Sequence, residues 1–302
     1  LGMSTGELVG RPALRQSSLN ADVRKESAPS LPGFSSHALE EEIAEYDRLL
    51  AGNLSRKSSP GEVLTFSSAQ PTILSSEKIP PEVNYVVVRG DAVIGGTIDR
   101  RGPPLCIVVK GNISFRDSVQ LDGLVAILAD KPIVIPGSAK MDHTILYSAT
   151  RVELRARVSV SAQIFSPLII LRTGSIASFP SLLVSTSRQK KSNEPAGIFV
   201  EGGAAVEGTI LSLAPKAKNQ EQRVVVQPGA LVTGAIYSEN LLTLDGTVIG
   251  TVMTKDFFFE VPPTMYLGWL RSGRIERQSR PAGFLLPVGF KESFQLDVLE
   301  WL

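Results

Sequence analysis

A near-repeat of about eighteen residues, running from roughly Val86 to Phe259, limits the possible folds of this chain more than any other feature. It is clearest near its end, where VVVQPGALVTGAIYSE (Val224 to Glu239) is followed by LTLDGTVIGTVMTK (Leu242 to Lys255). Phrases of the same kind start at Val86, Ile107, Val119, Ile133, Val152, Ile169 and Ile198. From Ile133 onward the starts lie 19, 17, 29, 26 and 18 residues apart. The two long intervals hold polar inserts, RQKKSNEP and PKAKNQEQR, and without them the spacing returns to about eighteen. A short unit rich in β-branched residues cannot bury its apolar face alone. Stacked on copies of itself it can, so the period predicts a β-solenoid.

Within a unit, apolar residues alternate with small or polar ones, as in Leu231, Thr233, Ala235 and Tyr237 against Val232, Gly234, Ile236 and Ser238. Alternation marks strands with one buried face. Glycine recurs as Gly90, Gly111, Gly137, Gly174, Gly229 and Gly246, and at a sharp corner the need is for positive φ. Three strands of about six residues make a triangular coil, and eight or nine coils stacked about 4.8 Å apart make a rod of roughly 40 Å. A β-sandwich also spaces its strands regularly, but it has no reason to repeat one phrase with glycine in register.

Four segments follow. Residues 1–34, rich in Ser, Ala, Pro and charge, read as disordered or loosely ordered. Residues 35–84 hold a short helix, with Leu39, Ile43, Tyr46 and Leu50 on one stripe, and an irregular lead-in. The helix stripe is expected to pack on the solenoid. The solenoid occupies 85–259. Residues 260–302, aromatic and Pro-rich, read as a C-terminal cap, with a short helix expected over Thr264 to Arg271. A solenoid end exposes strand edges that invite another chain unless covered. Phe257, Phe258, Phe259, Tyr266 and Trp269 are the residues expected to cover that end or to contact a partner there.

Residues 224–255 resemble the bactofilins, bacterial polymer-forming cytoskeletal proteins, in the form Gly-x-Val-x-Gly-x-Ile; GDAVIGGTI and GGAAVEGTI are of similar form. The resemblance implies a right-handed, three-sided parallel β-helix. It also implies end-to-end assembly without nucleotide and a scaffold role at the membrane or cell wall. The chain departs from the family in its length, its irregular coils over 133–185, its two inserts and its heavy terminal segments.

Residues that carry chemistry are few. Of the two histidines, His37 precedes the helix and His143 lies in a repeat unit. A histidine base on a left-handed acyltransferase solenoid would need six-residue repeats, which are absent, so His143 reads as a corner residue. Asp117, Asp122, Asp130, Asp142 and Glu153 could serve a polysaccharide-cleaving β-helix but form no motif. No His or Cys pair stands at zinc spacing and no phosphate-binding glycine loop occurs. No catalytic, cofactor-binding or metal residue is therefore assigned. The single cysteine, Cys106, excludes an intrachain disulfide framework, and its apolar neighbours predict a buried, inert thiol.

The net charge of +1 gives no strong pull towards nucleic acid, and Arg271, Arg274, Arg277 and Arg280 match no known nucleic-acid module. Arg188, Lys190 and Lys191 in one insert, with Lys216, Lys218 and Arg223 around the next, are expected to project from one corner as a basic patch. Its partner would be an anionic membrane surface, a cell-wall polymer or an acidic protein. No apolar run reaches eighteen residues, and LGMSTGELVG lacks a signal-peptide core, which leaves room for an anchor upstream. The expectation is a non-catalytic scaffold of the bacterial envelope or cytoskeleton, self-associating or docking through solenoid ends and faces. The alternative is a carbohydrate-binding or carbohydrate-cleaving β-helix.

Overall fold

A computed structural model describes residues 37–52, 62–186, 196–213, 222–261, 263–268, 270, 272–276 and 279. They form a three-sided parallel β-solenoid with one helix, α1 (His37–Leu50), laid against it. After the first, each turn of chain contributes a strand segment to three faces. Face A begins with Glu62–Phe66 and Val83–Val88 and continues through eight further segments, ending at 250–254. Ten strands at the parallel spacing span about 43 Å. Face B runs from Thr72–Leu74 through the end of Leu231–Leu244 to Asp256 and Phe257, and its first three strands pair as a small sheet of their own. Face C starts at Thr97 and ends with Arg274–Glu276 on Thr247–Val261. The ladder therefore reaches back to Glu62, one coil before the repeated phrase becomes legible.

The alternation sets the interior. Val86, Ile107, Ile127, Leu146, Ile164, Leu183, Ile210, Ile236 and Val252 are successive Cα partners on face A, and each is at most 5% exposed. Burying each such side chain contributes about 1.5–3 kcal/mol. The repeat starts from Ile133 onward are themselves a vertical stack on face B, with Ile133, Val152, Ile169, Ile198, Val224 and Leu242 in register. The earlier starts belong to other faces: Val86 and Ile107 pair on face A, and Val119 precedes a face C segment.

The glycines split into two groups. Gly174 (φ 76°) and Gly229 (φ 81°) take the left-handed conformation at the corner between faces B and C, where Ser118 (φ 65°) and Arg157 (φ 68°) do the same without being glycine. Gly90, Gly111, Gly137 and Gly246 answer a different demand from the expected one. A Cβ on Gly111 would sit 2.6 Å from the Gly90 carbonyl oxygen, and one on Gly246 would sit 2.6 Å from that of Ala230. Close approach of the next coil, rather than positive φ, excludes a side chain there.

At the corner between faces A and B, Ser148, Ser166, Ser185, Ser212, Ser238 and Thr254 stand one above another, all nearly inaccessible to water. Ser148 donates to the Lys131 carbonyl (2.9 Å) and Ser185 to that of Pro167 (2.8 Å), so these two satisfy turn carbonyls that the ladder leaves over. Both inserts leave the coil just past this column. Thr186 and Leu213, where they depart, are Cα partners, and so are Gly197 and Arg223, where the chain rejoins.

Candidate functional site: a clasped face and the rod ends

The outward side of face A is apolar. Val108, Leu128, Tyr147, Phe165, Val184, Leu211, Tyr237 and Met253 form a column parallel to the rod axis, each buried. Ile43, Tyr46, Leu49 and Leu50 of α1 pack into it. The four lie on one helical stripe, as three- and four-residue spacing dictates. The Tyr46 ring meets Tyr147 at 5.3 Å and the edge of Phe165 at 5.6 Å. The Tyr147 hydroxyl donates to Asp47 Oδ1 (2.6 Å), and the Tyr46 hydroxyl donates to Glu42. Burial, then the bond and charge of Glu42, push the Tyr46 phenol well above its ordinary range. Cys106 lies partly buried at the edge of the same cluster, and burial pushes its thiol up to about 12. That agrees with an inert thiol and gives no nucleophile near neutral pH.

At the N-terminal end, Glu62–Phe66 pairs only with Val83–Val88 among the described residues. Leu64 and Phe66 turn inward onto the core, while Val63 points out, 41% exposed. Arg100, 6% exposed, braces this end: its guanidinium donates to the carbonyls of Pro81 (2.7 Å) and Pro80 (3.0 Å). At the C-terminal end, Arg274–Glu276 covers face C, and Leu270 and Ile275 pack on the core. Segment 250–254 of face A has a strand on one side only among the described residues.

Beyond Phe257 the chain leaves the coil as a hairpin. Phe258 through Val261 pair antiparallel with Thr264–Leu267, so a strand stands where the short helix was expected. The free edge of the last strand and the alternation of Thr-Met-Tyr-Leu favour pairing over a helical turn. Phe257 is in the core and Phe258 is buried under the Arg223 guanidinium, 5.6 Å from its ring centroid. Phe259 stacks on Tyr266 at 5.9 Å. Trp269 lies outside the described residues, as do Arg188, Lys190, Lys191, Lys216 and Lys218. Arg223, the one described residue of the expected basic group, faces the hairpin.

His143 adopts φ 53° at the corner between faces C and A and pairs with Asp142 (3.2 Å), a corner residue as expected. Thr144, the next residue, starts the following face A segment. The expected carboxylates are scattered. Asp122 lies on face C, Asp142 beside His143, Asp117 and Asp130 at two other corners, and Glu153 on face B. Glu153 accepts from Arg172 Nε (2.9 Å), and Arg172 also donates to Glu201 (2.6 Å). Hydrogen bonds to these two carboxylates, Glu153 first, raise the Arg172 guanidinium further above its already high range. This three-coil tie was not legible in advance, since Arg172 and Glu201 become neighbours only across an insert. Among the described residues, no three His, Cys, Asp or Glu side chains gather to hold a metal ion, and no helix is long and apolar enough to cross a membrane.

No protein-family model matches the chain, and no curated protein and no solved structure matches it either.

Proposed function

We propose that this protein is a bactofilin-like scaffold of the bacterial cell envelope or cytoskeleton, working by contact between surfaces rather than by bond chemistry. The observation that carries the reading is the face A ladder. At Glu62–Phe66 and again at 250–254 it ends in a segment with a partner on one side only among the described residues. Unpaired strand edges are templates for another chain. A ten-strand parallel face of uniform spacing is a rigid support for such contacts.

Docking of an anionic surface, whether membrane or wall polymer, is assigned to the corner between faces A and B. There the two Lys/Arg-bearing inserts depart from consecutive coils. The test is negative-stain microscopy with sedimentation velocity on the full chain over a wide concentration range. Filaments, or oligomers that grow with concentration, are expected, and Val63→Lys on the N-terminal edge is expected to shorten or dissolve them. Monodisperse monomers at every concentration would overturn the reading.

A further inference from the structure

The hairpin at the C-terminal end has a feature the capping role does not use. Its outer strand, Thr264–Leu267, has Phe258–Val261 on one side and no other neighbour among the described residues. Met265 is 67% exposed and Leu267 62%. Edge strands are usually protected by lysine, an inward charge, a proline within the strand or a covering element. Thr264–Leu267 carries no charge and no proline, and Glu260 is the only charged residue from Phe257 to Gly268.

The hydrogen-bond phase can be read from one bond. Gly268 N–H donates to the Phe257 carbonyl (2.8 Å), so Gly268 turns its backbone towards the inner strand. In an antiparallel pair this orientation alternates. Tyr266 and Thr264 therefore also face inward, and the N–H and C=O of Met265 and Leu267 face outward. The outward backbone groups and the exposed apolar side chains belong to the same two residues.

We propose that this edge binds a second copy of the chain, strand to strand and antiparallel, about a two-fold axis at Tyr266. The inference rests on the assembly reading above and specifies one of its contacts. A two-fold perpendicular to the sheet keeps each side chain on its own face, so residues pair only where their numbers sum to an even value. Pairing Met265 with Leu267 of the other copy meets this rule and is repeated by symmetry. It places both outward-facing backbones opposite one another and makes four hydrogen bonds. Sliding by one residue in each copy would put Pro263, which has no N–H, opposite Leu267. On one face Met265 and Leu267 pack across the axis. On the other, Tyr266 faces its own symmetry mate beside the Phe259 ring. The two Glu260 carboxylates end three strand spacings apart, about 14 Å, beyond the Debye length of about 8 Å at physiological salt.

A lipid surface would accept the side chains but strand the Met265 and Leu267 backbone groups in hydrocarbon, at a large desolvation cost. A strand satisfies both.

The test uses the full chain. Sedimentation velocity is expected to show a dimer contact that Met265→Lys or Leu267→Lys weakens at least about tenfold. Both side chains are more than half exposed, so the fold should persist. Independently, Tyr266→Cys should form an intermolecular disulfide under mild oxidation. The Cα separation at a non-hydrogen-bonded pair, about 4.5 Å, lies within disulfide range. The parent chain, with only Cys106, is the control and should not cross-link.

Self-association unchanged in both lysine variants, with no cross-link in the Tyr266→Cys variant, would overturn this contact and leave the assembly reading standing. A chain monomeric throughout, with no cross-link, would overturn both. Flotation with phosphatidylcholine vesicles that needs Met265, again without the cross-link, would overturn it in favour of lipid.

Discussion

The middle coils and the last coils build the same core around different corners. Between faces C and A, the last three coils turn through a single residue and then a glycine: Glu207 before Gly208, Thr233 before Gly234, Ile249 before Gly250. Three of the middle coils spread the same turn over more chain, with 122–124 between Leu121 and Val125, Asp142 and His143 between Met141 and Thr144, and 178–180 between Ala177 and Ser181, while the coil at Ser161 turns through one residue and carries Ala162 where the late coils have glycine. At the glycine corners, successive backbones nearly touch. A Cβ on Gly250 would collide with the Gly234 carbonyl, at a φ of 151° that side chains rarely adopt. Where the corner is wide, non-glycine residues fit, and His143 takes the positive φ itself. The regular phrase is thus a record of the late coils' glycine corners, whereas the solenoid itself depends on the inward residues both regions share.

The largest test of that distinction concerns the shared core. Ile164→Ala in a middle coil and Ile236→Ala in a late one should each cost about 2–5 kcal/mol, because both side chains are fully buried in one continuous stack. Urea unfolding of the full chain measures this, and a middle-coil cost below half the late-coil cost would mean the two cores differ. Next come the corners. Gly250→Ala should cost roughly 2–4 kcal/mol, against about 1 kcal/mol for Thr144→Ala at the register-equivalent position of a wide middle corner. Equal costs would refute the account of the glycines.

A third, smaller effect should be confined to the region under α1. In the undocked chain Cys106 ionises near 9.0, whereas under the helix its thiol is held up to about 12, and Tyr46 shifts in the same direction from 10.0. The undocked state therefore releases protons first. Helix docking is fully stable below pH 9 and weakens as pH rises from 9 towards 12. Hydrogen exchange in α1 should accelerate over that window while the coils after Gly234 stay unchanged, and Tyr147→Phe should lower the docking stability by about 1 kcal/mol. Acceleration across the whole rod would contradict a local clasp. The smallest expected effect is a gain. Arg157→Gly relieves a positive φ in a middle coil and should stabilise by about 0.5–1 kcal/mol in a thermal melt.

The stacked architecture was legible because face B repeats its starts from Ile133 to Leu242 in the register the chain adopts. The helix stripe of Ile43, Tyr46 and Leu50 was legible from its spacing, and it does pack on the solenoid. Less legible was the first coil, because Glu62–Phe66 and Thr72–Leu74 are short and are followed by the 3-10 turn Ser76–Lys78 rather than a third strand. The hairpin was missed because Pro262 and Pro263 look like a helix start as readily as a turn. The pairing of Tyr147 with Asp47, a hundred residues away, leaves no local trace. The outward column of face A resembles core in sequence, since a buried outer side and a buried inner side both read as apolar.

The span of α1 has a mechanical consequence. Its fourteen residues, about 21 Å long, lie across four coils, from Val108 to Phe165. Pulled along its axis from the C-terminal end, the rod should give way coil by coil, each released by the loss of one interface. On reaching the splinted coils, the force must strip the helix or break four interfaces together. An optical-tweezers trace should therefore show a series of small steps and then one large one, where the coils under α1 yield.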